Sequence, residues 1–339
     1  MELINDKSYL SFDLRGGAIT DFHLRGHRVN PLNFAYTREQ MPVNNRQGAP
    51  FKGHFLCCGR WGHPSAQEAA DGMPDHGTFS NMEWRGTRQG GQRLEMEATS
   101  GAEGLSIVKT LDLDLREPVF LVRDRIRNIG TRPESFHLVQ HPTLSFPFLD
   151  DGTLINCNAS IGFNQAHALQ AEGHMSRWPL GYCEDGSVLG LRQSERPYNG
   201  LFSFLIDREK PIGWIAAYSP EYRLLFGYCW RREDYPWVHL WQHWEERRIK
   251  YRAMEFGVAG FHNAFGDLPA YPAEFMGERA YLHLGRGEET ERSYICFLQA
   301  LPGGCSGVAD IKWDGSAIVI LMDGQKETVR INTHFTNLF

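Results

Sequence analysis

Helical periodicity is scarce along this chain, and that scarcity constrains the fold more than any other feature. Short runs with alternating or continuous apolar residues recur instead, cut by Gly, Pro, Asn and Asp. Leu105 to Leu115, Val119 to Asn128, Leu201 to Ile206, Ile212 to Tyr218, Tyr222 to Trp230 and Tyr251 to Gly257 all read as strands. Runs of this kind joined by short polar turns make large antiparallel sheets, so the expected class is all-β. The polar, poorly periodic stretch from Asp150 to Gly200 reads as irregular. After Pro302-Gly-Gly the chain closes with Ser316 to Ile331, a hairpin turning at Asp323-Gly324. We therefore expect one large β-domain over residues 1–303 and a small hairpin extension over 304–339.

Composition removes several function classes. The net charge is −6 and no long Lys/Arg run occurs, so a nucleic-acid partner is not expected. No apolar run reaches membrane-spanning length, and Met1-Glu-Leu-Ile-Asn-Asp lacks a basic-then-apolar signal. No membrane partner and a cytoplasmic location are the expectation. The 7 cysteines are odd in number and show no C-x-x-C spacing, which argues against a disulfide framework or zinc knuckle. Nucleotide-binding loops, G-x-S-x-G and H-E-x-x-H are also missing.

Phe136-His-Leu-Val-Gln-His-Pro142 opens as a strand, with His137, Val139 and His141 on one face. Pro142 has no N–H for a ladder, so pairing should stop there or lie at a sheet edge. His141 would then be a rigid, reachable imidazole suited to acid or base work, or an ordinary strand-end histidine bonded to a carbonyl. Glu255 lies among apolar neighbours in Ala253-Met-Glu-Phe-Gly257, where desolvation raises a carboxyl pKa towards that of a working base. Arg60 with His63, and Asp75-His76-Gly77 with Asn81 and Trp84, sit in turn-rich stretches suited to binding. Trp237, Trp241 and Trp244 interleave with His239 and His243. Tryptophan offers a flat face to a sugar ring, although core packing accounts for any single one. His239 and Trp241 are the expected sugar contacts of that run. The i, i+4 pairs His137/His141 and His239/His243 would align metal ligands on a helix but not on a strand, so no metal cofactor is expected.

The order Gly59-Arg60, His76-Gly77, His141-Pro142 and Glu255 resembles that of the aldose 1-epimerase, or galactose mutarotase-like, superfamily, from about Ser8 to Ala300. The resemblance implies a β-supersandwich of large antiparallel sheets with a monosaccharide or modified monosaccharide in a cleft. It implies His141 as general acid and Glu255 as general base, opening the hemiacetal ring, with Arg60 and His76 holding sugar oxygens. The family's further sugar-binding aspartate would be Asp185, Asp207 or Asp234. Thr143-Leu144 and Phe256-Gly257 depart from the family's usual residues. That leaves open a carbohydrate-binding protein without turnover, or a sugar isomerase or lyase. A homodimer through the C-terminal hairpin is a further expectation.

Overall fold

Most of the strands fall into two large antiparallel sheets. The computed structural model describes residues 1–168, 175–262, 273–324 and 327–336, and these hold a 13-stranded and an 8-stranded sheet. Strand Val119–Asn128 shows how the sequence makes them: Phe120, Val122 and Ile126 are buried in the main core, whereas Arg125 and Arg127 are exposed. Leu138, Leu144, Phe202, Phe204, Met254 and Phe256 of the larger sheet join the same core. Each such side chain contributes roughly 1.5–3 kcal/mol by leaving water.

The central strands of the larger sheet run, in spatial order, His54–Gly59, Glu134–Ser145, Arg248–Gly257, Trp237–Glu245 and Gly200–Ile206. Strand Glu134–Ser145 thus continues through Pro142 in the middle of a sheet, contrary to expectation. Its neighbours explain this. Thr143 N–H donates to Gly53 on one flank, which turns the nitrogen of Pro142 towards the other. There Thr143 pairs with Ala253 and Gln140 with Phe256, but the ladder skips the two positions between them. On the first flank Pro142 still pairs with His54 and His141 with Phe55. The missing N–H interrupts one ladder only.

Ionisable groups also meet between the sheets. Lys109 Nζ lies 2.7 Å from Asp124 Oδ1, with both side chains buried. Gln140 donates to Asp124 Oδ2 at 2.9 Å and to the Tyr235 hydroxyl at 3.1 Å. Gln140 Oε1 bonds His54 Nε2 at 3.1 Å, and His54 Nδ1 meets the Tyr228 hydroxyl at 3.1 Å.

Two regions differ from the sequence reading. The stretch read as irregular holds Leu154–Cys157, Ala159–Asn164, Leu180–Tyr182 and Val188–Gly190, strands mostly too short to display a period. The C-terminal segment forms three strands, Val308–Trp313, Ala317–Met322 and Thr328–Asn332, rather than a hairpin. Gln325 and Lys326, next to the expected turn, lie outside the described residues. Ile311, Ile318, Ile320 and Ile331 of this small sheet pack with Trp214, Tyr218 and Phe297 of the 8-stranded sheet.

Candidate active site

The register of the larger sheet lays one row of side chains across the face turned away from the smaller sheet. Because Thr143 pairs with Ala253 and Gln140 with Phe256, His141 stands opposite Glu255. Phe55 pairs with His141 on one side, and on the other Glu255 pairs with His239 and His239 with Ser203. His141 Nε2 lies 3.3 Å from Glu255 Oε1. Phe55 stacks on the imidazole at 4.3 Å between centroids, and Thr143 Oγ1 bonds its Nδ1 at 3.1 Å. The second oxygen of Glu255, Oε2, accepts the indole N–H of Trp61 at 2.8 Å.

Both members of the pair are buried. Burial pushes the Glu255 carboxyl up to about 8, against the opposing hydrogen bond from Trp61. It pushes the His141 imidazole down. Each effect favours the uncharged form of its group, a carboxylic acid beside a neutral imidazole.

A cavity of about 430 Å³ opens above this pair, within the size range of small-molecule sites. Phe34, Tyr36 and Trp241 line one part of it, and His63, Asp75 and His76 another. His76 has φ +60° and is followed by Gly77 at +77°, left-handed backbone that sets the ring against the cavity. Gly62 N–H donates to His76 Nδ1 at 3.2 Å, which places the imidazole proton on Nε2 and makes that nitrogen a donor. His63 Nδ1 bonds the buried carboxylate of Asp75. That bond raises the pKa of His63. Burial alone would raise Asp75, but its bonds to His63 and Asn44 hold it below the usual range.

His141, Glu255, His76 and Trp241, four of the residues singled out in the sequence, line one cavity. Arg60 and His239 are not among its lining residues. Arg60 Nε pairs with Glu68 Oε1 at 2.6 Å, and its Nη1 donates to the Gly59 carbonyl at 3.0 Å. Glu68 is delivered by the short helix Ala66–Ala70, capped by Ser65. His239 is buried beneath the site, with Nδ1 on Ser203 Oγ at 2.7 Å and its ring 4.2 Å from that of Trp61. Trp237 packs in the core against Phe163 and Phe275, and Trp244 Nε1 donates to Ser194. Asn81 ties its loop to the carbonyls of Asn45 and Ala49, and Trp84 Nε1 donates to that of Phe79. Asp185, Asp207 and Asp234 bond Ser187, Ser160 and Arg231, and the aspartate on the cavity wall is Asp75. Among the described residues, no three of His, Cys, Asp or Glu gather to hold a metal ion. Trp61 and Phe55 were missed. A tryptophan set between Gly59-Arg60 and Gly62 was the available signal for the first.

The architecture is that of galactose mutarotase-like structures. A protein from Synechocystis superimposes with TM-score 0.61 at 17% identity, over 88% of this chain and 95% of that one. An aldose epimerase homologue from C. elegans gives 0.61 at 12% identity, over 89% and 99%. A galactose mutarotase related enzyme from Lactobacillus acidophilus gives 0.60 at 10% identity, over 89% and 98%. No protein-family model matches the sequence, and no curated protein does. The likeness establishes the fold, a β-supersandwich of large antiparallel sheets.

Proposed function

We propose that the protein interconverts the anomers of a monosaccharide or modified monosaccharide by opening and reclosing its hemiacetal ring. The proposal rests on the 3.3 Å contact between His141 Nε2 and Glu255 Oε1 at a cavity lined by aromatic rings. The anomeric hydroxyl and the ring oxygen share one carbon, so an acid and a base that touch each other can reach both. From the ion-pair form, Glu255 takes the proton of the anomeric hydroxyl while His141 gives its own to the ring oxygen. The bond from the anomeric carbon to the ring oxygen breaks and a carbonyl forms. A carboxylic acid and a neutral imidazole remain.

Rotation about the bond next to the carbonyl turns its other face to the ring hydroxyl. Reclosure then runs the transfers backwards: the acid protonates the new anomeric oxygen and the imidazole takes the hydroxyl proton. From the uncharged form the same steps run with the roles exchanged. Neither cycle draws a proton from solvent. Acid and base contribute roughly 10²–10⁴-fold each. Trp241 offers an apolar face to the sugar ring, and His76 Nε2 a donor to one of its oxygens. That solved structures of this fold include a galactose mutarotase related enzyme supports the same reading. No helix of the described residues is long and apolar enough to cross a membrane; a cytoplasmic location is part of the proposal.

A carbohydrate-binding protein without turnover would have no need for a carboxyl and an imidazole facing each other. Magnetisation-exchange NMR on a panel of aldoses, sugar phosphates and uronic acids decides between the two. Anomer exchange should be accelerated by the wild type and fall roughly 10²–10⁴-fold in both His141→Asn and Glu255→Gln. Binding of a sugar without any acceleration would establish the non-catalytic reading instead.

A further inference from the structure

Trp61 is fully buried. Its backbone N–H donates to His137 Nδ1 at 3.3 Å. Its ring packs tilted on His239, 4.2 Å between centroids, and edge-on to His262 at 4.7 Å. His239 is itself fixed. Gln165 Nε2 donates to Ser203 Oγ at 2.5 Å, which leaves the Ser203 hydroxyl proton for His239 Nδ1 at 2.7 Å. Gln165 Oε1 also accepts the backbone N–H of His262 at 3.0 Å, so one amide ties the Ser203–His239 pair to the backbone of His262. Gly62, at φ +97°, is required beside it: a Cβ there would lie 2.8 Å from His262 Nε2. The polar end of this assembly is the single bond from Trp61 Nε1 to Glu255 Oε2 at 2.8 Å.

We propose that Trp61 is the positioning residue of the His141–Glu255 pair: its indole N–H occupies Oε2, so that Oε1 alone, the oxygen beside His141, exchanges protons with a ligand. A carboxyl with two free oxygens could rotate and present either one. A carboxyl pinned at Oε2 keeps Oε1 aligned with His141 before any ligand arrives, which is where the rate gain of a preset geometry comes from. The same bond stabilises the carboxylate form against the effect of burial. His239, which the sequence offered as a sugar contact, acts here as the wall behind Trp61.

The inference rests on the proposed reaction only for its kinetic arm. Trp61→Phe removes the N–H and keeps a ring. Should that variant fail to fold, the benzothiophene isostere of tryptophan at position 61 removes the N–H with the shape retained. Carboxyl ¹³C NMR of the full chain, with the Glu255 signal identified by its loss in Glu255→Gln, reads the titration directly. Glu255 should hold its proton about tenfold more tightly without the indole donor, a rise of about one pH unit. Anomer exchange should show kcat down roughly tenfold with KM little changed, and its alkaline limb should move up with the titration. An unchanged titration and an unchanged limb, with only a lower melting temperature, would reduce Trp61 to packing and overturn the proposal. If the wild type exchanges no sugar at all, the NMR titration still decides, so the two proposals fail separately.

Discussion

Gln140 and His141 are neighbours on one strand, yet they belong to two differently built polar sites. On the Gln140 side, between the sheets, Lys109, Asp124, Gln140 and His54 give one another fixed partners at 2.7–3.1 Å, and none of them lines the cavity. On the His141 side an imidazole and a carboxyl meet through one longer contact, 3.3 Å, and both line the cavity. Each site buries ionisable groups at a cost in desolvation. The first offsets that cost with an ion pair and a chain of hydrogen bonds between the sheets. The second leaves an acid and a base reachable by a ligand, with the Glu255 pKa displaced towards neutrality.

On this contrast, the largest stability effect belongs to the site between the sheets. Lys109→Ala leaves the Asp124 charge buried without its cation and should destabilise the fold by about 3–5 kcal/mol in urea unfolding. Anomer exchange by the protein that remains folded should stay near the wild-type rate. A comparable loss of exchange per folded molecule would show that the two sites act as one.

A second effect appears on acidification. His54, His137 and His239 are buried, and burial lowers all three, His137 to about 3. The unfolded chain takes up these protons near pH 6.5, and the folded chain only far below that. Their contribution to stability is therefore complete above about 6.5 and is lost as pH falls, at up to about 1.4 kcal/mol per pH unit for each histidine. Urea unfolding at several pH values between 7 and 5 should show that slope. A flat profile would mean that these rings are not held neutral. The smallest effect is at the cavity wall: Trp241→Ala should weaken sugar binding by roughly tenfold, read by calorimetry, with little change in melting temperature.

The strands were legible where alternation survives in the sequence, as in the second half of Val119–Asn128, where Ile126 is buried between exposed Arg125 and Arg127; in its first half Val119 and Leu121 are buried on the opposite face as well. Val308–Trp313 escaped notice because a register shift between Val308 and Asp310 breaks its alternation. The buried, apolar setting of Glu255 was legible from its neighbours in the sequence. The direct contact of Glu255 with His141 was not, since it depends on register between strands far apart in the chain. Pro142 shows the same limit. A proline argues for an edge until the neighbour that tolerates the missing N–H is known. Arg60 was legible as a charge but not as the partner of Glu68, which a helix cap brings to it. Trp61 was the hardest to foresee, because its bond to Glu255 spans 194 residues.

Glu255→Gln, followed by anomer exchange and by melting at about pH 8.5, tests the contrast between the two sites most directly. The folded pKa of Glu255 is raised, so the stability it contributes is complete below the unfolded value near 4.3 and is lost as pH rises through about 8. A neutral amide escapes that loss. Exchange should therefore fall by roughly 10²–10⁴ while the melting temperature equals or exceeds that of the wild type. Exchange that survives the substitution, or a protein that melts lower than the wild type at that pH, would contradict the assignment of Glu255 to chemistry rather than to structure.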